Sequence, residues 1–428
     1  MTASAQVLSP RARAAVLFAA IGGLLFDGVE LGLMPVASLS VSQDLLGAAY
    51  TPTLGGDWFA RFTAALMLGA AVGGIALGGL GDAIGRTRAL GVSILFYSVF
   101  AGMGAFVHTQ EQMLALRFLV GLGVGGVWPN AVALAAECWP DKSRPIVAGL
   151  MGAALNGGIL MLSQIARVWH IRPDSWRWIF QLAAAPAVLG LLVLFALPES
   201  PLWLASRDSA SLSPSDGKRD GVRRVNPIRE LFRPPLLRLT LIGILLGSIP
   251  MMGAWAASKW MIPWADKVGG ATEAGYKAVT QGWWALGAVL GSFFGAQIAA
   301  WLGRRRAYAL ISCGATALTL LMFLGTAPLR ASFLPIVLAQ GFVATLFFGW
   351  LPLYLPELFP THVRAAGSGV AYNVGRFATA VGVFAAGALF AAVGGSYPKV
   401  GAACGLIYAL GCVVIWWAPD TTNKKLHD

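Results

Sequence analysis

The chain has 428 residues, 57% of them hydrophobic against 12% charged, with 53 glycines and a mean hydropathy of +0.70. That balance excludes a soluble domain of this size and fits a bundle of roughly 20-residue apolar helices. The formal net charge of +12 would point to nucleic acid in a soluble chain, but here the lysines and arginines sit in short loops between apolar segments, which marks membrane topology rather than a phosphate-binding face.

Arg11 and Arg13 precede the first apolar run as they would in a signal peptide, yet the run is too long and lacks a small-residue cleavage site, so it reads as a retained first helix. Apolar segments of spanning length fall near 14–37, 59–81, 90–107, 112–136, 146–168, 176–197, 236–262, 278–301, 307–327, 331–355, 366–392 and 398–418. The expectation is an all-α integral membrane protein of twelve transmembrane helices. Residues 1–197 form an N-terminal six-helix half and 236–428 a C-terminal six-helix half with a short tail. Between them, 198–235 holds the polar stretch "SRDSASLSPSDGKRDGVRRVNPIRELFRPP", which reads as a cytoplasmic linker. The loops on the side of the N-terminus carry the larger share of the 31 lysines and arginines, so both termini are expected to face the cytoplasm of an inner (plasma) membrane.

The halves repeat one another. "ECWPDKSR" contributes Glu137, Pro140 and Arg144; "ELFPTHVR" contributes Glu357, Pro360 and Arg364 at the same spacing, and Gly149 and Gly369 continue the match. "GRTRA" (Gly85, Arg86, Arg88) likewise returns as "GRRRA" (Gly303, Arg304, Arg306). A repeat of this period, each copy following an equivalent span, implies two halves related by an axis along the membrane normal, with a central site between them.

"GGLGDAIGRTR", with Gly78, Leu80, Asp82, Gly85, Arg86 and Arg88, resembles the loop between helices two and three of the major facilitator superfamily. The glycines let helices pack closely, and Asp82 with the arginines could form a cytoplasmic charge latch. In the second copy Ala300 stands where the Asp would be. "PESPLWL" (Pro198 to Leu204, with Glu199), the Glu-Pro-Arg repeats and "SWRWIF" resemble the branch containing sugar porters, organic-ion transporters and aromatic-acid:proton symporters. The resemblance covers almost the whole chain and implies a cytoplasmic gate built from Asp82, Gly85, Arg86, Arg88, Glu137, Arg144, Glu199, Arg304, Glu357 and Arg364. The seventh segment, "GSIPMMGAWAASKWMIPW", lacks the glutamines of sugar porters, and "AGLMGAALNGGILMLSQ" lacks the Gly-Pro mark of drug antiporters. By contrast, "DGVELGLMP" and "AYNVGRFATAVG" are similar to first- and eleventh-helix stretches of aromatic-acid symporters, with Val29 and Glu30 as departures.

Asp27 and Glu30 lie three residues apart in the first span, on one helical face. A charge near the bilayer centre costs on the order of 2.5–3.5 kcal/mol, so it persists only when paired, solvated or neutral. Two carboxylates crowded there resist ionising together, which suits proton exchange; the alternative is that they pair with an arginine and fix packing. Arg376, with Tyr372 and Asn373 on its face, offers a fork for a carboxylate or an internal salt bridge. Arg117 begins the fourth segment at a place the superfamily links with proton transfer, and Trp128 and Asn130 follow it around Pro129. Trp255, Lys259, Gln164 and Trp350 are further candidates for an organic acid, with Lys259 alternatively snorkelling outward. Trp260 and Trp264 read as an interfacial belt.

The four cysteines, Cys138, Cys313, Cys404 and Cys412, have no metal-ligand or redox spacing and read as packing residues. The four histidines fall in loops or the tail, and no Ser-His, metal or phosphate-cradling pattern supports catalysis or a resident cofactor. The sequence therefore reads as a secondary transporter for a small organic anion, a monocarboxylate or aromatic acid, moved inward with protons. The partners expected are the substrate and the bilayer, not nucleic acid, and a monomer suffices. A sugar or other neutral-solute porter of the same fold, relying on Gln164, Asn130, Asn373 and the tryptophans, and a non-transporting membrane sensor are the alternatives.

Overall fold

The computed structural model describes residues 8–138, 144–201, 203–204, 227–360 and 363–422. Pro140, His362, His427 and residues 205–226 of the expected linker lie outside the described residues, as does the Arg144 side chain. Among the described residues, twelve helices are long and apolar enough to cross a membrane: α1 (Pro10–Ala49), α2 (Pro52–Ile84), α3 (Arg86–Phe106), α4 (Gln110–Ala135), α5 (Gly149–Val168), α6 (Arg177–Ala196), α7 (Leu236–Gly269), α8 (Tyr276–Leu302), α9 (Arg304–Gly325), α10 (Phe333–Leu358), α11 (Ala366–Ala392) and α12 (Tyr397–Trp417). Among the described residues there is no strand. A backbone in hydrocarbon must satisfy its own hydrogen bonds, so the apolar runs have no other stable form.

Local chemistry sets the ends. Ser9 Oγ accepts Ala12 N at 3.3 Å with Pro10 at the first position of α1, and Thr51 Oγ1 accepts Leu54 N at 3.1 Å ahead of Pro52 in α2. The repeated Gly-Arg pairs have one geometric reason. Gly85 (φ +111°) turns the chain from α2 into α3 with no intervening loop, and Gly303 (φ +85°) does the same from α8 into α9.

In the first half α2 packs along α4 and α1 along α5; in the second α8 packs along α10 and α7 along α11. The seam between the halves is made chiefly by α5 against α8 and α2 against α11. Apolar burial does not drive helices together in lipid, so close approach at small residues does more of the work. Gly28 and Gly158 are the clearest case. A Cβ at Gly28 would lie 1.8 Å from the Leu155 carbonyl oxygen, and one at Gly158 would lie 1.7 Å from that of Leu25.

Each half carries one charge cluster on the membrane face where both described ends of the chain lie, here the terminal face. In the first, Arg86 contacts Asp82 at 2.6 Å and Glu137 at 3.2 Å, Glu137 accepts the Ser200 hydroxyl, and Glu199 accepts Thr87 N at 2.9 Å. In the second, Arg304 reaches Glu357 at 2.8 Å and Glu357 accepts the Thr421 hydroxyl. These clusters tie together helices of their own half. The latch expected from Asp82, Arg86 and Arg88 is thus an internal fastener here, with Arg88 N directed at Glu199 (3.4 Å), and the missing Asp at Ala300 is offset by the closer bidentate Arg304–Glu357 pair. Arg364 lies in the helical turn just ahead of the α11 span.

At the opposite face the halves meet. Lys277 of α8 donates to Ser40 of α1 and to Asp266 of α7, both at 3.0 Å, and Gln281 donates to Gly32 O at 3.1 Å and to Ser163 Oγ at 3.2 Å. Trp260 lies edge-on to Phe59 of α2 and stacks on Phe390 of α11, their centroids 5.1 and 5.0 Å away. Trp260 and Trp264, expected at the interface with lipid, are buried instead; their rings plug helix–helix gaps, which offers more contact than a headgroup layer. Cys313 and Cys412, 99 residues apart, meet between α9 and α12 with their sulfurs 2.9 Å apart. No sequence spacing shows this pairing.

Candidate functional site

Midway through the molecule, helices of both halves line a partly open cavity. Asp27 and Leu31 of α1, Trp128 of α4, Asn156 of α5, Trp255 and Lys259 of α7, Trp284 of α8, Phe348 of α10, and Tyr372, Arg376 and Thr379 of α11 are among the residues lining it. Its mixture of apolar walls with a few polar groups is that of a small-molecule site. Six expected residues therefore come together: Asp27, Trp128, Trp255, Lys259, Tyr372 and Arg376.

Asp27 is 1% exposed, and its Oδ1 has no hydrogen-bond partner. Three residues on, Glu30 is equally buried but turned to Arg117 of α4, whose Nη1 lies 3.3 Å from Glu30 Oε2 and whose guanidinium sits 5.3 Å from the Phe180 ring centroid. The two carboxylates, expected to act as one pair, thus have different surroundings. Glu30 and Arg117 form an ion pair away from the cavity wall, whereas Asp27 faces the cavity. Gly28 and Gly158 bring α1 and α5 together at this level.

Arg376 does not pair with either first-helix acid at salt-bridge distance. Its Nη1 donates to the carbonyls of Ala70 (3.1 Å) and Gly125 (3.5 Å), and its guanidinium lies 5.1 Å from the Tyr372 centroid. Tyr372 in turn stacks with Trp128 across the seam, the rings 6.4 Å apart and 11° from parallel. Carbonyls orient Arg376 without neutralising it, so its charge is available to an anion.

Lys259 is 1% exposed, and its Nζ has no hydrogen-bond partner. It lies 3.5 Å from the Trp284 ring centroid and 5.6 Å from that of Trp255, so it is held by ring faces rather than snorkelling outward. The backbone places it there. The α7 helix widens to a π turn over Gly253–Ala257 and tightens over Ser258–Trp260 before resuming at Met261. Ser258 Oγ donates to Gly253 O at 3.1 Å, Gln340 Nε2 donates to Ser258 Oγ at 2.6 Å, and Trp284 Nε1 donates to Gln340 Oε1 at 2.7 Å. One buried amide thus fixes both the turn that carries Lys259 and the ring beneath it.

Four expected substrate residues lie elsewhere. Asn130 Nδ2 donates to Leu77 O (3.0 Å) and Gly126 O (2.8 Å), clipping α4 to α2. Asn373 Nδ2 donates to Gly369 O at 3.0 Å, and its Oδ1 packs against Gly74. Gln164 is exposed; the buried amide at that part of the seam is Gln281. Trp350 donates to Arg304 O at 2.9 Å and stacks on Tyr354, away from the cavity. Sequence reading passed over Asn156, which donates to Ser292 of α8 at 2.9 Å, and over Trp284, Gln340 and Thr379. Only Asn156 and Gln340 carried a signal: each is an amide inside an apolar span.

A cavity with fixed charges, set between two six-helix halves, defines a membrane carrier rather than an enzyme. A family profile described as "Sugar (and other) transporter" matches residues 15–428. A cis,cis-muconate transport protein of Acinetobacter baylyi is 30% identical over 410 residues, covering 92% of this chain and 93% of that one. A gallate transporter of Pseudomonas putida is 26% identical over 411 residues, covering 90% and 86%. The inward-open structure of the Escherichia coli xylose transporter XylE superposes with a TM-score of 0.72 at 19% identity, over 96% of this chain and 98% of that one, which shows the shared fold. The chain belongs to the sugar (and other) transporter family of the major facilitator superfamily.

Proposed function

We propose that this protein takes up a small organic anion, an aromatic acid or related carboxylate, together with protons, by rocking its two halves about the central cavity. The observation that carries this reading is that Arg376, uncompensated by any carboxylate at salt-bridge distance, and Asp27, lacking a partner at Oδ1, line one cavity. Arg376 captures the carboxylate through its fork. Asp27 takes up and releases the proton, since a buried unpaired carboxylate is costly and neutralises readily when its surroundings dry. The relatives named for muconate and gallate agree with an acid as cargo. A neutral solute would need neither charge.

The contacts joining the halves at the opposite face, and charge clusters confined to their own halves at the terminal face, fit an arrangement closed on the first side. With more basic residues around it, the terminal face is the cytoplasmic one, in an inner (plasma) membrane. The protein works as a monomer, and protons are its coupling ion.

The test is internal pH in liposomes holding the purified protein, followed while carboxylates and hexoses are added. Acidification with carboxylates, silent in protein-free liposomes and lost in Asp27→Asn and Arg376→Ala, is the expected result. Accumulation of a labelled hexose with no carboxylate response would refute the reading.

A further inference from the structure

The anion reading needs one cation, and the cavity has two. Lys259 is as buried as Asp27, its ammonium has no hydrogen-bond partner, and it lies on the wall shared with Arg376. The two come from different helices, α7 and α11, with the indoles of Trp255 and Trp284 and the phenol of Tyr372 around them. An ammonium on ring faces retains its three N–H donors for another partner. The π turn and the Gln340 bonds hold Lys259 in place, so the cation is built into the cavity rather than left over from packing.

Resting on the carrier reading above, we propose that the preferred substrate is a dianion. It is a flat unsaturated or aromatic dicarboxylate, with one carboxylate on Arg376 and the other on Lys259.

Charge balance sharpens this. The groups facing Asp27 are Arg376 from α11, Glu30 on its own helix with Arg117 of α4 behind it, the Tyr97 hydroxyl of α3, and Lys259 across the cavity. Glu30 and Arg117 cancel one another. With Asp27 carrying the proton it takes up, the two cations leave two positive charges, of which a monoanion neutralises one. A dianion leaves the cavity neutral only when Asp27 is protonated. Entry with a proton on Asp27 therefore leaves the occupied low-dielectric cavity neutral for a dianion and singly positive for a monoanion.

The experiment pairs benzoate with benzene-1,4-dicarboxylate, and hexa-2,4-dienoate with hexa-2,4-dienedioate, on purified protein. Binding is read by tryptophan fluorescence and calorimetry, and proton uptake in liposomes. The expected result is preference for the dicarboxylate of each pair by about 10- to 100-fold, the value of one charge-assisted bond. In Lys259→Met, shown to be folded by its thermal unfolding in detergent, that preference falls to near unity, and Lys259→Arg restores part of it. Equal loss of both ligands in folded Lys259→Met and in Lys259→Gln, or equal wild-type affinity within each pair, would overturn the dianion proposal while leaving the anion reading intact. Binding of a hexose with no carboxylate bound would sink the carrier-of-anions reading itself.

Discussion

Removing Glu30 should harm the protein more than removing Glu30 and Arg117 together. Arg117 is wholly buried; Glu30 Oε2 is 3.3 Å from its Nη1, and its Nε and Nη2 have no hydrogen-bond partner. Glu30→Ala leaves that guanidinium in the protein interior without its counter-charge, a change costing about 3–5 kcal/mol. Arg117→Leu leaves a carboxylic acid, which can take a proton and become neutral, so its cost is smaller, on the order of 1–3 kcal/mol for one unsatisfied polar group. Glu30→Leu with Arg117→Leu removes both charges and fills much of the same space, and is expected to fall within about 1 kcal/mol of wild type or above it. The assay is thermal and denaturant unfolding in detergent for all four proteins, with the coupling taken from the double-mutant cycle. A double variant less stable than Glu30→Ala would refute the reasoning. So would a Glu30→Ala protein as stable as wild type, for Arg117 would then have another partner. The same series separates structure from coupling: the folded double variant should still acidify liposomes with a carboxylate if Asp27 is the proton site, as proposed.

Gly28→Ala places a methyl 1.8 Å from the Leu155 carbonyl, so α1 and α5 must part; a loss of at least about 1–3 kcal/mol in unfolding experiments is expected, with slower transport. Gln340→Leu strips the acceptor from Trp284 and the donor to Ser258, and should lower dicarboxylate affinity by roughly 10-fold while sparing monocarboxylates, as measured by titration calorimetry. Lys277→Met removes the bonds to Ser40 and Asp266 that close the opposite face. Labelling of Ser38→Cys, in a background lacking the four native cysteines, by an impermeant maleimide should then quicken several-fold; an unchanged rate would mean that the aromatic plug around Trp260 closes the seam alone.

The twelve spans were legible because apolar length is a local property, and the Gly-Arg and Glu-Pro-Arg repeats were legible because each copy meets the same turn. Asp27, Arg376, Lys259, Trp255, Tyr372 and Trp128 could be picked out because a charge or ring inside an apolar span has few cheap explanations. Their partners could not. Nothing local tells Asp27 from Glu30, three residues along the same helix; Arg117, 87 residues from Glu30, decides between them. Likewise Asn130 and Trp350 read as cavity groups until α2 and Arg304 claim their donors. The role of Lys259 depends on Gln340 and Trp284, contributed by α10 and α8, and on a π turn that leaves no mark in the residue pattern of Gly253–Ala257.

The two charge clusters show how such a carrier can move without coming apart. Glu137 binds Arg86 and Ser200, and Glu357 binds Arg304 and Thr421, so each half ties the base of its helices to the residues that follow its sixth span. These bonds run within a half and need not break under the proposed rocking of the halves. Among the described residues the polar contacts across the seam are hydrogen bonds rather than ion pairs: Asn156 to Ser292, Gln281 to Gly32 and Ser163, Lys277 to Ser40, and Arg376 to the Ala70 and Gly125 carbonyls. Each such bond contributes about 0.5–1.5 kcal/mol, so together they hold one arrangement without locking it. Charge that must be fixed lies inside the halves, and charge free to meet a ligand, on Asp27, Lys259 and Arg376, lines the cavity between them. A charged substrate entering there changes the balance across the seam by more than any one of those bonds, and that difference can bias the equilibrium between the two arrangements.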